Sequence, residues 1–218
     1  FYVKLPGLSL QVQEALSEQL ASHPFDVLQV DSVGPKVGGD LRRQGFISIL
    51  ATLVLVLVYV AFRFDLTFAP GAVIALFHDV LIVVGVFVLI QREVNISIIG
   101  ALLTIIGYSL NDTIVIYDRI RENMERYRRK DMAGLINASV NETLNRTVNT
   151  SLTTLAAMIV FLFMGGPVIE TFALAIALGV IVGTYSTVYV ASPMILIMED
   201  VKPYLVRVRT GANMATTI

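Results

Sequence analysis

The chain has 218 residues, 56% of them hydrophobic and only 15% charged, with a mean hydropathy of +0.75. A soluble domain of this size would be about a quarter charged, so the composition points to an integral membrane protein. A net charge of −1 gives no basis for nucleic-acid binding, and the lack of cysteine excludes a disulfide framework and thiolate metal sites.

The chain opens at Phe1 and shows no signal peptide, as expected of part of a longer polypeptide. Residues 1–43 read as the end of a small external α/β domain. "LSLQVQEALSEQLASH" carries Leu8, Val12, Leu16 and Leu20 at helical spacing behind Ser9, a capping residue. "FDVLQVDSV" alternates loosely, as a strand does, and "VGPKVGGDL" reads as a turn-rich linker. Forty residues do not bury a core alone, so the rest of this domain is expected upstream.

Five segments then have the roughly 20 mostly apolar residues that cross a bilayer: 44–62, 67–90, 96–118, 149–165 and 168–198. The fold class expected is an all-α polytopic membrane bundle. The loop between the third and fourth spans carries seven basic residues, from Arg119 to Arg146, and the tail at 201–218 carries Lys202, Arg207 and Arg209. The opposite side holds Arg92 between spans, with Lys36, Arg42 and Arg43 ahead of the first. The positive-inside rule therefore puts the loop and the C-terminus in the cytoplasm. Five spans leave residues 1–43 outside, and a missing first transmembrane helix would deliver them there. The loop run "DRIRENMERYRRKDMAGLI" reads as an interfacial amphipathic helix at anionic headgroups, more than as a dock for a cytoplasmic partner.

Polar residues break the apolar pattern at three places. The second span holds His78 and Asp79. The third holds Tyr108, Ser109, Asn111, Asp112 and Thr113. The fourth is entered through "NETLNRTVNTSLTT". Thr104, Tyr108 and Asp112 form one helical stripe, and Glu142, Arg146, Asn149, Thr150 and Thr153 another. A carboxylate at bilayer depth costs several kcal/mol unless protonated, hydrated or paired, so the stripes should face each other or a wet cavity. Arg146 can extend from its edge toward Asp112, which makes the two a candidate proton-coupling pair. The plainer reading of Asp112 is a hydrogen-bonded structural residue. Asn111, Tyr108, Thr113, Asn149 and Thr150 are candidate supporting or relay positions. His78 and Asp79 point about 100° apart on a helix, so proton handling there stands beside a packing role. Tyr117–Asp118 reads as an interfacial anchor. Ala175, Gly179, Gly183 and Thr187 recur at every fourth position, a stripe for close helix packing.

The strings "VDSVGPKVGGDL", "ALFHDVLIVVGVF", "IIGYSLNDTIVIYDRIREN", "LNRTVNTSLTTL", "GGPVIETF" and "VGTYSTVYVASP", in this order over residues 28–195, resemble the SecF family of bacterial protein-export membrane proteins. The "GYSLNDT…DRIREN" block is the most specific. The resemblance implies one half of a resistance-nodulation-division architecture, six helices with an external domain after the first, of which this chain would hold the last five helices. It implies a multi-pass protein of the bacterial inner membrane and a non-enzymatic role without cofactor or metal. SecD, the SecYEG channel, the exported preprotein and membrane phospholipid are the implied partners. The implied role is late-stage protein export driven by the proton gradient. It also implies that Asp112 of "LNDT" and Arg146 of "RT" take part in proton movement. A proton-coupled exporter of small molecules or lipids with the same six-helix half is the alternative. An intramembrane aspartyl protease using Asp79 and Asp112 would require a Gly-x-Gly-Asp string, which is absent.

Overall fold

In the computed structural model the described residues are 18, 35–64, 67–92, 95–127 and 131–199, the side chains of 35–38, 41, 42, 96, 167 and 168 excepted. Apart from residue 18, the expected external helix and strand, and the tail at 201–218, lie outside them. The chain divides into two compact units, Phe1–Gln44 and Gly45–Ile218, and the second holds the helical bundle.

Five helices are long and apolar enough to cross a membrane: α1 (Pro35–Arg63), α2 (Ala69–Leu89), α3 (Ile96–Arg126), α4 (Met132–Met164) and α5 (Gly166–Ser186). α5 runs through one wide π turn, Thr187–Ala191, into further helix up to residue 199. Local chemistry sets the ends. Asn95 caps α3 by accepting from the Ile98 N–H at 3.1 Å, and Asp131 caps α4 by accepting from the Gly134 N–H at 3.4 Å. Pro70 and Pro167 sit in the first turns of α2 and α5, where a missing N–H costs nothing. The tight passage from α4 to α5 puts Gly166 at φ +72°, a left-handed conformation that glycine adopts without strain. The π turn has a cause just beyond it. Pro193 offers no N–H to the carbonyl four residues back, and its ring crowds that carbonyl, so the preceding turn widens.

Two boundaries differ from the sequence reading. α1 starts at Pro35, so the stretch read as a turn-rich linker is helical from that residue on; proline at a first helical position sets the helical φ and outweighs the glycines behind it. The charged run after residue 118 is not a single separate helix. Its described parts are the continuation of α3 to Arg126 and the first turns of α4, which starts at Met132. Hydropathy falls there while helix-forming residues continue, and only the former signals the end of a membrane span.

α5 is the centre of the bundle and packs against α2, α3 and α4, while α3 also packs on α2 and α4. Its small residues allow this. A Cβ at Gly179 would overlap the Ile105 side chain of α3, and one at Gly183 would lie 3.2 Å from Ser109 Cβ. Phe87, Leu76, Ile98, Ile105, Ile116 and Val180 fill the core. Phe46, Leu55, Phe62, Leu89, Phe163 and Met164 are exposed, as suits side chains that meet lipid and not water.

Candidate functional site

Antiparallel α3 and α4 meet along a polar seam, and its register rests on three contacts. Asn123 Nδ2 donates to Ser139 Oγ at 2.9 Å, Arg119 Nε to Glu142 Oε2 at 2.5 Å, and Tyr108 OH to Ser151 Oγ at 3.4 Å. That register sets Asp112 opposite the turn of α4 from Thr147 to Thr150. Asp112 is 4% exposed. The charge acting on it from α4 is that of Arg146, and the hydroxyl is that of Thr150.

Two buried side-chain atoms on this seam have no hydrogen-bond partner among the described residues: Asp112 Oδ2 and Thr147 Oγ1. Nor does any ion pair formed among these residues join Asp112 to Arg146. Arg146 lies exposed midway along α4, and Thr150 Oγ1 donates to the carbonyls of Arg146 (3.1 Å) and Thr147 (2.9 Å). A buried anion with an unmatched oxygen is costly. A proton on the carboxyl, or the arrival of a cation, relieves that cost, so the site has two electrostatically distinct conditions.

The α4 face buried against α3 lies beside the charged stripe, which still reaches α3 at its rim through Glu142 and through Arg146 and Thr150. Ser139, Thr143, Thr147 and Ser151, spaced by four, are buried at the seam, whereas Glu142, Arg146, Asn149 and Thr153 are exposed. Ser139 and Thr143 turn their hydroxyls onto carbonyls of their own helix, and Ser151 Oγ shares a 2.6 Å bond with Thr184 Oγ1 of α5. The i, i+4 spacing of small hydroxyl residues was the signal. Charge drew attention to the neighbouring face instead. On α3, Asn111 and Thr104 are exposed, and Thr113 is buried with its hydroxyl 3.0 Å from the Ser109 carbonyl and 3.3 Å from Thr187 Oγ1.

A second polar cluster joins α2, α3 and α5. Asp79 is fully buried, receives the Ser109 hydroxyl at 2.7 Å on Oδ2, and has His78 Nδ1 3.1 Å from Oδ1. Adjacent residues do leave the helix about 100° apart, yet both side chains bend toward one another and meet. Tyr117 is no interfacial anchor. It is fully buried, its ring packs edge-on to Phe68 and Phe64, and its OH donates to the Ala191 carbonyl in the π turn at 3.1 Å. Asp118 is exposed and pairs with Arg63 at 3.4 Å.

Charges close both ends of the bundle. At one end Arg92 of the α2–α3 connection pairs with Glu170 of α5 at 3.1 Å. At the other, ahead of the apolar part of α4, Arg119 also holds Glu122 at 2.6 Å, and Asn123 donates to Glu142 at 3.1 Å. The Asn123 and Arg119 hydrogen bonds hold the Glu142 carboxyl below the usual carboxylate range.

Five helices long and apolar enough to cross a membrane, packed around a buried carboxylate with one oxygen unpartnered among the described residues, define a polytopic membrane protein. Within that class the chain belongs to the SecD/SecF family: the family model described as protein export membrane protein SecD/SecF, C-terminal, matches residues 12–201. The chain is 49% identical over 201 residues to the protein translocase subunit SecDF of Thermus thermophilus, covering 92% of this chain and 27% of that protein. It is 45% identical over 194 residues to the protein translocase subunit SecF of Thermodesulfovibrio yellowstonii, covering 88% of this chain and 64% of the relative. The crystal structure of Thermus thermophilus SecDF, a translocon-associated membrane protein, superposes with a TM-score of 0.82 at 48% identity, over 90% of this chain and 28% of that one. The chain thus spans under two thirds of the relatives' length.

Proposed function

We propose that this chain is the SecF-type membrane half of a protein-export machine. It would work with a SecD half and the SecYEG channel to draw preproteins out on the external face of the bacterial inner membrane, using the proton gradient. The relatives' names support the translocase assignment, and the positive-inside count supports a cytoplasmic C-terminus. The coupling step rests on one observation: Asp112 is buried with an oxygen left unbonded while Arg146 stands nearby on the facing helix.

In this reading a proton on Asp112 and the guanidinium of Arg146 alternate as the group that neutralises the carboxylate. Each favours a different separation of α3 from α4, so protonation shifts the population between two arrangements of the seam. Arg119, Glu142 and Asn123 clamp the cytoplasmic end of the same two helices, so the movement is greater toward the bilayer centre. The SecD partner is supported by a second feature. Asn111, Thr104, Asn149 and Thr153 are exposed at membrane depth beside the seam, and such a face is unfavourable against lipid. A homologous half set against it would cover these groups and seal the site.

The test is release of a secretory precursor from membrane vesicles, with and without a proton gradient, comparing wild type with Asp112→Asn. Loss of the gradient-dependent part in a variant that still assembles supports the reading. Unchanged gradient dependence overturns it.

A further inference from the structure

The Asp79 cluster is not used in that mechanism, yet it holds a carboxylate more completely sealed than Asp112. We propose that His78 and Asp79 form a second intramembrane proton-binding site, which holds one exchangeable proton and loads and unloads it at His78 Nε2. Four observations carry this. Asp79 has no exposed surface, whereas 30% of the His78 side chain is exposed. Oδ1 and Oδ2 are each engaged, by His78 Nδ1 at 3.1 Å and Ser109 Oγ at 2.7 Å. Gly183 of α5 leaves the site roofed by backbone, since a Cβ there would meet Asp79 Oδ2 at 3.6 Å and Ser109 Oγ at 3.3 Å. Finally, no ion pair among the described residues brings any other cation to Asp79.

The surroundings restrict the chemistry. On α2 the titratable neighbour is His78. On α3, Asp112 turns to α4 and Tyr108 bonds Ser151; only Ser109 reaches Asp79. Glu170 of α5 is tied to Arg92 at the bundle's end, and Tyr185 and the π turn's Tyr189 stack on each other at the exposed side. The pair is therefore left to balance its own charge.

One hydrogen lies between Nδ1 and Oδ1 in every state. With a second on Nε2 the pair is neutral, whether drawn as imidazolium with carboxylate or as imidazole with carboxylic acid. Release of the Nε2 proton leaves a neutral imidazole donating to a carboxylate, with net charge −1. The Ser109 hydroxyl then becomes a donor to an anion and its bond strengthens. Ser109 also lies one turn before Asp112, and its carbonyl takes the Thr113 hydroxyl that touches Thr187 of the π turn. The occupancy of the pair is thus felt at the α3–α5 seam.

The chain has two histidines, His23 and His78, so a His23→Gln background isolates one ring. The experiment is nitrogen NMR of this chain, labelled with ¹⁵N-histidine, in the full assembly in lipid vesicles as pH is varied. The expected result is an Nδ1 that stays hydrogen-bonded throughout while Nε2 gains and loses one proton. Asp79→Asn, which leaves only a neutral amide oxygen opposite Nδ1, should weaken the Nδ1 signature and lower the proton affinity, and Asp112→Asn should leave the titration in place. Ser109→Ala, a smaller change that keeps both members of the pair, should tighten proton binding roughly ten-fold, the worth of one hydrogen bond to a charged group. A His78 ring that does not titrate overturns the proposal. So does a titration that Ser109→Ala and Asp79→Asn leave unmoved. Either failure leaves the Asp112 reading standing, because its readout is gradient-dependent export.

Discussion

Asp112 and Asp79 are the same residue type at similar burial in one bundle, and their surroundings differ in a single respect. Asp79 has a partner on each oxygen, supplied by its own helix and by α3. Asp112 has an oxygen with none among the described residues, and the cation that could answer it sits exposed on a different helix. A carboxylate whose partners are fixed binds helices together. One whose partner must move in can report that movement. The contrast teaches that burial alone does not mark a coupling residue; the unmatched oxygen does.

The sharpest way to break the contrast is through activity. Asp112→Asn keeps shape and removes titration, and it should reduce precursor release to the level seen without a proton gradient. Arg146→Gln, which removes the partner charge, should do the same. Arg146→Lys should restore only part, because an ammonium is a compact point charge without the planar fork. If either Asp112→Asn or Arg146→Gln retains full gradient-driven release, Asp112 is a structural group and not the coupling site.

The second way reverses the ranking, by stability. Asp79→Ala leaves the Ser109 hydroxyl and the His78 Nδ1 without their acceptor, and each buried bond lost in this way costs about 1–3 kcal/mol. Asp112→Ala breaks no bond at Oδ2 and removes a costly buried charge, giving up only the Thr150 hydroxyl and the Arg146 attraction, so it should cost less than Asp79→Ala. Thermal unfolding of the two variants in the same lipid or detergent measures this. Equal losses would mean that Asp112 is as firmly bonded as Asp79.

The same physics decides how much of the bundle and its site was legible in the sequence. The five spans were visible because hydropathy acts locally: a run such as that from Phe46 to Phe62 has no other stable home. Asp112 stood out because a carboxylate among isoleucines is expensive anywhere in the bilayer. The hydroxyl ladder Ser139, Thr143, Thr147, Ser151 was hidden, because serine and threonine satisfy themselves on their own helix and cost little on either face. Which face turns inward is set by the fit of α4 onto α3 and α5. The His78–Asp79 bond depended on rotamers, which spacing does not give. The π turn could have been suspected from Pro193 alone, but its meeting with Tyr117 could not.

The packing that holds the two carboxylates apart can be tested at two glycines. Gly179→Ala drives a methyl into Ile105, so α5 must draw away from α3, at a cost of about 1–3 kcal/mol for an overpacked contact. Gly183→Ala is milder, since its methyl would lie at 3.2 Å from Ser109. It would, however, press on the side chain that holds Asp79. Thermal unfolding should rank Gly179→Ala below Gly183→Ala. In the histidine NMR experiment Gly183→Ala should perturb the His78 ring more.

The smallest effect belongs to the clamp of Arg119, Asn123 and Glu142, and it has a definite sign. Glu142 titrates below the usual carboxylate range because Asn123 and then Arg119 bond its ionised form. The unfolded chain has its ordinary value, so the unfolded state binds the proton more tightly. The contribution is therefore fully present above the unfolded carboxylate value of 4.5. It fades as pH falls through the lower folded value. At neutral pH it is constant, and Glu142→Gln should lower stability only slightly there, because the pair is exposed and screened by salt. The difference between wild type and variant should shrink further in acid. A difference that grows as pH falls would mean that the clamp is held by the protonated form, and that the α3–α4 seam is anchored elsewhere, nearer the turn of Asp112.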